Sequence, residues 1–416
     1  MSLSENRIAV TEGLHAQNLR KAYSGRIVVD NVNLYVKRGE AVGPLGPNGA
    51  GKTTCFSIIT GLIKADSGSV FLDNHNITFL PGKKVAGFEQ ESNHTIQVHF
   101  ADGSFISTGM VLMSVGVRPD TSLARNAGLQ IGNSGGIVVN EYLQTSQPDV
   151  YALGDAIEFS SPISGIAGPV YLAGPANKQA RIVADNVANG NKVVYKGAVG
   201  TAIVGILDIN AGMTGMSSWQ LERLGINHLV STTHSGSHAG YYPGAEELSI
   251  QLCFAPDSGK LLGAQVVGGS GTDKRLEMIS AVLHNGGSVY DLMELEHAYA
   301  PQFSSAKDPV NIAGYVAANI ISGHHKVVYS HQLQETDYLI DVRNDDEYAH
   351  GSIDSAINIP LHELRSRIDE IPQSGRVVVF CMVGQRGYIA QQILHQHGFK
   401  NVYNISGGYK TWHSTN

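Results

Sequence analysis

Residues 376–380, ArgValValValPhe, end on a cysteine, and that junction most constrains the fold of this chain. A short apolar run rich in β-branched residues predicts a buried strand. Cys381 follows directly, then the loop Met382, Val383, Gly384, Gln385, Arg386 and Gly387, then an apolar-periodic stretch over residues 388–399 carrying Ile389, Ile393 and Leu394. The spacing predicts a helix there. A cysteine between a strand end and a helix start meets inward-pointing N–H groups and the positive end of the helix dipole. Both favour a thiolate, the form a nucleophilic or persulfide-carrying sulfur needs. Gly384 and Gly387 let the loop curl around the sulfur. Arg386 supplies a planar cation suited to an anionic sulfur donor or a sulfite-like product.

At roughly 100–200 residues per domain, a chain of 416 residues predicts two to four domains. Net charge is -7 with no basic block, which excludes nucleic acid as an expected partner. The three cysteines, Cys55, Cys253 and Cys381, lie far apart, so no disulfide framework and no metal site is expected, and a reducing compartment is. The start, MSLSENRIAV, has no apolar signal core, and no run reaches the ~18 residues of a membrane span. A cytoplasmic location with no membrane span is the expectation.

Patterning divides the rest. Residues 1–82 read strand, strand, Gly-rich loop, helix, strand. Residues 83–195 read as strands ending in a helix over 176–187, with an extended strand over 145–155 that stops at Gly154 and Asp155. Residues 249–254 and 261–267 flank Asp257-Ser258-Gly259, a hairpin signal. A helix from Thr272 to Gly286 places Leu276, Ile279, Val282 and Leu283 on one face. Gly268-Gly269-Ser270-Gly271 reads as a turn.

The Cys-x4-Arg-Gly motif comes with Asp341-Val342-Arg343, Glu347, residues 350–353 (HGSI), 356–360 (AINIP) and 407–412 (GGYKTW). Together they resemble a single-domain rhodanese. The resemblance implies sulfur chemistry on Cys381 and Arg386, since related phosphatases have a loop one residue longer. Asp341 and Arg343 are expected to stabilise the loop.

Upstream, Gly116-Val117-Arg118-Pro119-Asp120, residues 145–155 and residues 172–181 resemble the second flavin half of the pyridine nucleotide–disulfide oxidoreductases. Residues 238–245 and 297–309 are similar to coenzyme A-disulfide reductases fused to a C-terminal rhodanese. The resemblance implies FAD held through Gly154 and Asp155, NAD(P)H as reductant, and a homodimer formed through 196–322. It also puts Tyr241 and Tyr299 across that interface, near the partner's flavin and thiol. Neither Gly-x-Gly-x-x-Gly loop of the family occurs in the chain, and Cys55 is the only cysteine in the N-terminal half. The missing pyrophosphate loop predicts weak or absent flavin binding.

Residues 46–54, GlyProAsnGlyAlaGlyLysThrThr, form a phosphate-loop sequence. Gly49, Gly51 and Lys52 would meet phosphates, with Thr53 and Thr54 beside Mg²⁺. With Tyr23 as the adenine-stacking aromatic, residues 16–81 resemble the start of an ABC transporter ATPase. No signature motif, acidic Mg²⁺ site or switch histidine follows, and Pro44 interrupts the preceding strand, so weak ATP binding at most and no hydrolysis is expected. The order suggests a chimera with a junction near residue 82, whose residues 1–120 are expected to be prone to aggregation and proteolysis.

The fold class expected is an α/β mosaic. Residues 1–82 are a truncated ATPase fragment, 83–195 a partial FAD/NAD-binding region, 196–322 an α+β dimerisation domain and 323–416 an α/β rhodanese domain. The leading function is persulfide transfer from Cys381 to a small thiol such as coenzyme A or glutathione. The alternatives are a disulfide or persulfide reductase that keeps flavin through Asp155, and a non-catalytic dimerising scaffold.

Overall fold

The computed structural model describes residues 13–23, 26–37, 66–71, 83–91, 95–113, 116–206 and 209–415. The chain divides into two compact units, one ending at Val117 and one beginning at Arg118.

In the first unit, β1 (Gly13–Tyr23) pairs antiparallel with β2 (Arg26–Lys37) and with β3 (Ser67–Phe71), in the order β2-β1-β3. Ala16, Leu19 and Val29 form its core. Three strands were anticipated here, and three are found among the described residues. The phosphate-loop residues Gly49, Gly51, Lys52, Thr53 and Thr54, like Cys55 and the helix expected after the loop, lie outside the described residues, as does the side chain of Tyr23. A second antiparallel meander joins β4 (Val85–Gln90), β5 (Ile96–Phe100) and β6 (Phe105–Thr108). Val98 and Phe100 are buried, whereas Phe88, Phe105 and Ile106 on its outer strands are exposed.

The second unit starts with a small region built from α1 (Ser122–Asn126), the short strands β7 (Ile137–Val138), β8 (Ile157–Ser160) and β9 (Ala167–Gly168), and α2 (Ala173–Asn189). The helix read over 176–187 is therefore present and longer. The extended strand read over 145–155 is not. Pro148 has no N–H to give a ladder, and Asp149 stands at φ +66, so the chain turns back. Thr145 donates its N–H to Val150 O at 2.8 Å, Gln144 bridges Tyr151, and Gly154–Ala156 wind into one 3₁₀ turn.

Next comes a five-stranded antiparallel sheet of order β10-β11-β14-β13-β12, made of β10 (Ala202–Ile206), β11 (Ile209–Gly215), β12 (Leu229–Gly236), β13 (Glu247–Phe254) and β14 (Leu261–Gly268). The short helix α3 (Ser218–Arg223) links β11 to β12. The anticipated hairpin is β13–β14, turning through Asp257-Ser258-Gly259. Helix α4 (Thr272–His284) buries Leu276, Ile279 and Leu283, the face its spacing predicted, against this sheet. Helices α5 (Val289–Glu294) and α6 (Pro309–Ile321) complete the core with Val289, Leu292, Val310 and Ala313. Each fully buried Val, Leu or Ile side chain among these contributes about 1.5–3 kcal/mol.

The C-terminal segment is a five-stranded parallel sheet of order β15-β19-β18-β16-β17. Its strands are β15 (Val327–Val328), β16 (Tyr338–Asp341), β17 (Ile357–Asn358), β18 (Val377–Phe380) and β19 (Val402–Ile405). Helices α7 (Asp345–Ala349), α8 (Gln385–Gln396) and α9 (Gly408–Thr415) pack around it. All four residues of β18 are buried, which is why that run is continuously apolar and not alternating. The central position of β18 puts Cys381 at a strand's carboxyl end, where ligands of parallel sheets bind. No helix among the described residues is long and apolar enough to cross a membrane.

Candidate active site

Cys381 emerges from β18 into the loop that leads to α8, as its sequence position required, and is 1 % exposed. The loop is shaped from two sides. On one side Asn404 of β19 donates its Nδ2 to Gly384 O at 2.9 Å and lies 3.0 Å from His325 Nε2. Burial pushes His325 down to about 4, so its imidazole is neutral and Nε2 accepts. Gly387 packs so closely on Asn404 that a Cβ there would sit 2.2 Å from Oδ1. On the other side the start of α9 acts as a strap. Tyr409 donates its N–H to Cys381 O at 2.8 Å, and Lys410 donates to Met382 O at 3.0 Å.

Arg386 sits at the first turn of α8 and forms a two-pronged pair with Glu347 of α7, at 2.7 Å for both contacts. The Glu347 hydrogen bond, against the cost of burial, holds the guanidinium on its charged form, and the Cys381 side chain lies within its reach. Arg386 in turn holds the Glu347 carboxyl below the usual carboxylate range. The fixed cation anticipated at the loop's end is therefore present but shared. Glu347 takes one edge of the fork, and about a third of the side chain stays exposed. Of the loop residues, Met382, Val383 and Gly384 are half-buried and Gln385 is exposed.

Beneath the loop, Asp341 and Arg343 form a buried pair at 2.6 Å. Ser352 donates to Asp341 at 2.7 Å, Arg343 donates to Gly351 O at 2.6 Å, and the guanidinium lies 4.3 Å from the Tyr409 ring. These two residues thus touch the strap at Tyr409, whereas the sequence reading had them stabilise the Cys381 loop itself. Sequence reasoning missed Asn404, His325 and the strap's hydrogen bonds. The pair Gly407-Gly408 was the available signal.

The other named residues fall elsewhere. Tyr241 and Tyr299 come together with hydroxyls 3.4 Å apart, 78 % and 51 % exposed. Tyr299 pushes the Tyr241 phenol up. Their segments are stitched by Ala239 N–H to Ser304 O at 3.1 Å and by a buried pair, Arg275–Asp308 at 2.7 Å, in which Arg275 also donates to Ser237 O at 2.7 Å. Sequence reasoning did not single out that pair. Cys253 is buried in β13, and desolvation raises its thiol to about 12, which leaves it inert.

Gly154 spends its N–H on Gln179 Oε1 at 2.7 Å, while Asp155 is exposed with its carboxylate available. A cavity of about 570 Å³ lies between the start of α2 at Gly174 and Lys178, Tyr195, and α4 at Glu277 and Ser280, but Asp155 is not on its wall. The sequence also has no pyrophosphate loop. Among the described residues, Asp155 therefore offers a polyol-binding carboxylate without a complete flavin site around it. Among the described residues no group of three His, Cys, Asp or Glu gathers as for a metal ion.

Comparison with known proteins matches residues 69–180 to the pyridine nucleotide-disulphide oxidoreductase family, 201–309 to the dimerisation domain of that family and 326–415 to the rhodanese-like domain. The first match begins ahead of the junction anticipated near residue 82. The coenzyme A disulfide reductase of Staphylococcus epidermidis is 32% identical over 248 residues, 59% of this chain and 55% of that protein. The NADH oxidase of Methanocaldococcus jannaschii is 31% identical over 242 residues, 58% of this chain and 52% of that protein. The crystal structure of reduced Bacillus anthracis CoADR-RHD is 42% identical, with a TM-score of 0.75 over 79% of this chain and 59% of that one. A NAD-dependent persulfide reductase from A. fulgidus is 31% identical, with a TM-score of 0.73 over 79% of this chain and 60% of that one. The chain spans about half the length of the curated relatives it matches. It is similar to coenzyme A-disulfide reductases and carries their dimerisation domain and a C-terminal rhodanese-like domain.

Proposed function

We propose that this protein is a sulfurtransferase in which Cys381 carries sulfane sulfur between small thiols. The observation that carries the reading is the Cys381 loop itself, set at the end of β18, strapped by Tyr409 and Lys410, and flanked by the Arg386–Glu347 pair. In the first half-reaction the Cys381 thiolate attacks the outer sulfur of a donor persulfide. The S–S bond of the donor breaks, its thiolate leaves, and Cys381 becomes a persulfide. In the second, an acceptor thiolate such as that of coenzyme A or glutathione attacks the terminal sulfur and Cys381 is released as thiolate. No electrons are gained or lost overall. The exposed edge of Arg386 steadies the anionic terminal sulfur, and the loop, closed by its strap, keeps the cysteine fixed for attack.

A second reading is favoured by one observation, the Tyr241–Tyr299 pair. Two exposed phenols 3.4 Å apart suit a site that positions a disulfide or persulfide beside a partner subunit. In that reading the chain is a homodimeric reductase, using FAD through Asp155 and NAD(P)H as reductant. FAD, if bound, would supply the two-electron transfer, and Asp155 would hold its polyol chain. The phosphate-loop sequence at 46–54, with its proposed ATP and Mg²⁺, has no part in either reading.

Purified full chain should move sulfur from an organic persulfide to coenzyme A, and Cys381→Ser should abolish the transfer while leaving the oligomeric state unchanged. Full activity in Cys381→Ser would refute the first reading. A stoichiometric flavin absorption band would raise the second above it.

A further inference from the structure

The rhodanese-like domain is hydrogen-bonded to the edge strand of the antiparallel sheet, and the contact falls on the segment that straps the Cys381 loop. His234 of β12 is the centre of it. Its Nδ1 is 2.7 Å from Ser249 Oγ on β13, and its Nε2 is 2.8 Å from Thr411 Oγ1 on α9, 177 residues along the chain. The side chain is 6 % exposed. Beside it, Thr232 donates its N–H to Ser406 Oγ at 3.2 Å, and Lys410 bonds Glu247 of β13. Burial, helped by the charge on Lys410, pushes the imidazole down to about 4, so it is neutral at ordinary pH. A neutral imidazole donates from one nitrogen and accepts at the other, so both hydroxyls can be satisfied at once.

The other face of the same short segment meets the nucleophile. Tyr409 and Lys410, the residues before Thr411, donate to the carbonyls of Cys381 and Met382. Gly408 lies so near the loop that a Cβ would stand 2.4 Å from Cys381 O. One turn of helix thus has the loop on one side and His234 on the other. From this juxtaposition we propose that His234, a residue of the dimerisation domain, is a positioning residue for sulfur transfer by Cys381, acting through Thr411 and the strap. The proposal rests on the sulfurtransferase reading above.

The two imidazole contacts can be separated. In His234→Asn the amide reaches the Ser249 side but falls short of Thr411. In His234→Gln the amide reaches the position of Nε2 and can restore the Thr411 contact. Thr411→Val removes the same hydrogen bond from the other domain with little change of shape. The assay uses the full chain with thiosulfate and cyanide. The Cys381 thiolate takes the outer sulfur and releases sulfite, then cyanide removes it as thiocyanate. Loss of one such hydrogen bond predicts a fall in kcat of about three- to tenfold in His234→Asn and in Thr411→Val. KM for thiosulfate should stay within twofold, and His234→Gln should recover most of the loss. Wild-type kcat in Thr411→Val overturns the proposal, and so does equal loss in the Asn and Gln variants. If His234→Asn does not fold, Thr411→Val decides alone. If Cys381→Ser keeps full activity, the functional reading itself has failed, which is a different outcome from a silent Thr411→Val.

Discussion

Gly408→Ala should uncouple the strap from the nucleophile loop. Gly408 stands at φ +66, a left-handed conformation that costs a residue with a Cβ about 1–2 kcal/mol. The added carbon would lie 2.4 Å from Cys381 O, 2.7 Å from Gly384 N and 2.7 Å from Met382 O. All three are backbone atoms of the loop, so no side chain can swing aside. Loop and strap must part by about half an ångström or more, which strains or breaks the hydrogen bonds from Tyr409 and Lys410, each of net value about 0.5–1.5 kcal/mol. The combined destabilisation is about 2–5 kcal/mol, which in a domain this small lowers the melting temperature by roughly 8–40 °C. Displacing the nucleophile by a fraction of an ångström should also slow transfer by about tenfold to a hundredfold. Gly398→Ala is the control. Gly398 has φ +92, yet a Cβ there meets nothing within 4 Å, so only the backbone cost of about 1 kcal/mol applies. Calorimetry on the full chain, with the C-terminal transition identified by its shift, and thiocyanate formation at 25 °C measure both effects. Equal melting temperatures and equal rates in the two variants would refute the close-approach argument.

Two further outcomes follow from buried charge. His234 and His325 are both pushed by burial from about 6.5 to about 4, so the unfolded chain binds more protons than the folded one between those values. Their contribution to stability is complete above pH 6.5 and is lost as pH falls towards 4. Between pH 7 and 5.5 the loss is about 1 kcal/mol for each, read as a lower urea midpoint; an unchanged midpoint would contradict their burial as neutral groups. Asp308→Ala leaves Arg275 charged at 2 % side-chain exposure, which predicts a loss of about 3–5 kcal/mol in chemical denaturation. Replacing both partners, Arg275→Met with Asp308→Leu, should recover most of that loss, and failure to do so would show that the hydrogen bonds to Ser237 and Ser304 matter more than the charge.

Local pattern by itself determined much of this protein. A β-branched run, a cysteine, a glycine-bearing loop and a periodic helix specify Cys381, Arg386 and their surroundings because each depends on neighbours a few residues away. The same holds for the hairpin of β13 and β14 and for the buried face of α4. Residues 145–155 misled because their apolar character resembles a strand, while Pro148 and a left-handed Asp149 decide the backbone. Tertiary structure alone decided which charges meet. Glu347 takes one edge of Arg386 from 39 positions away, Arg275 finds Asp308 across 33, and His234 reaches Thr411 across 177. No periodicity encodes such pairs, because a side chain's partner depends on how strands and helices stack and not on spacing along the chain. Hence the place of Cys381 between a strand and a helix could be read from the sequence, whereas the strap bonded to its loop and the second domain bonded to that strap could be read only from the fold.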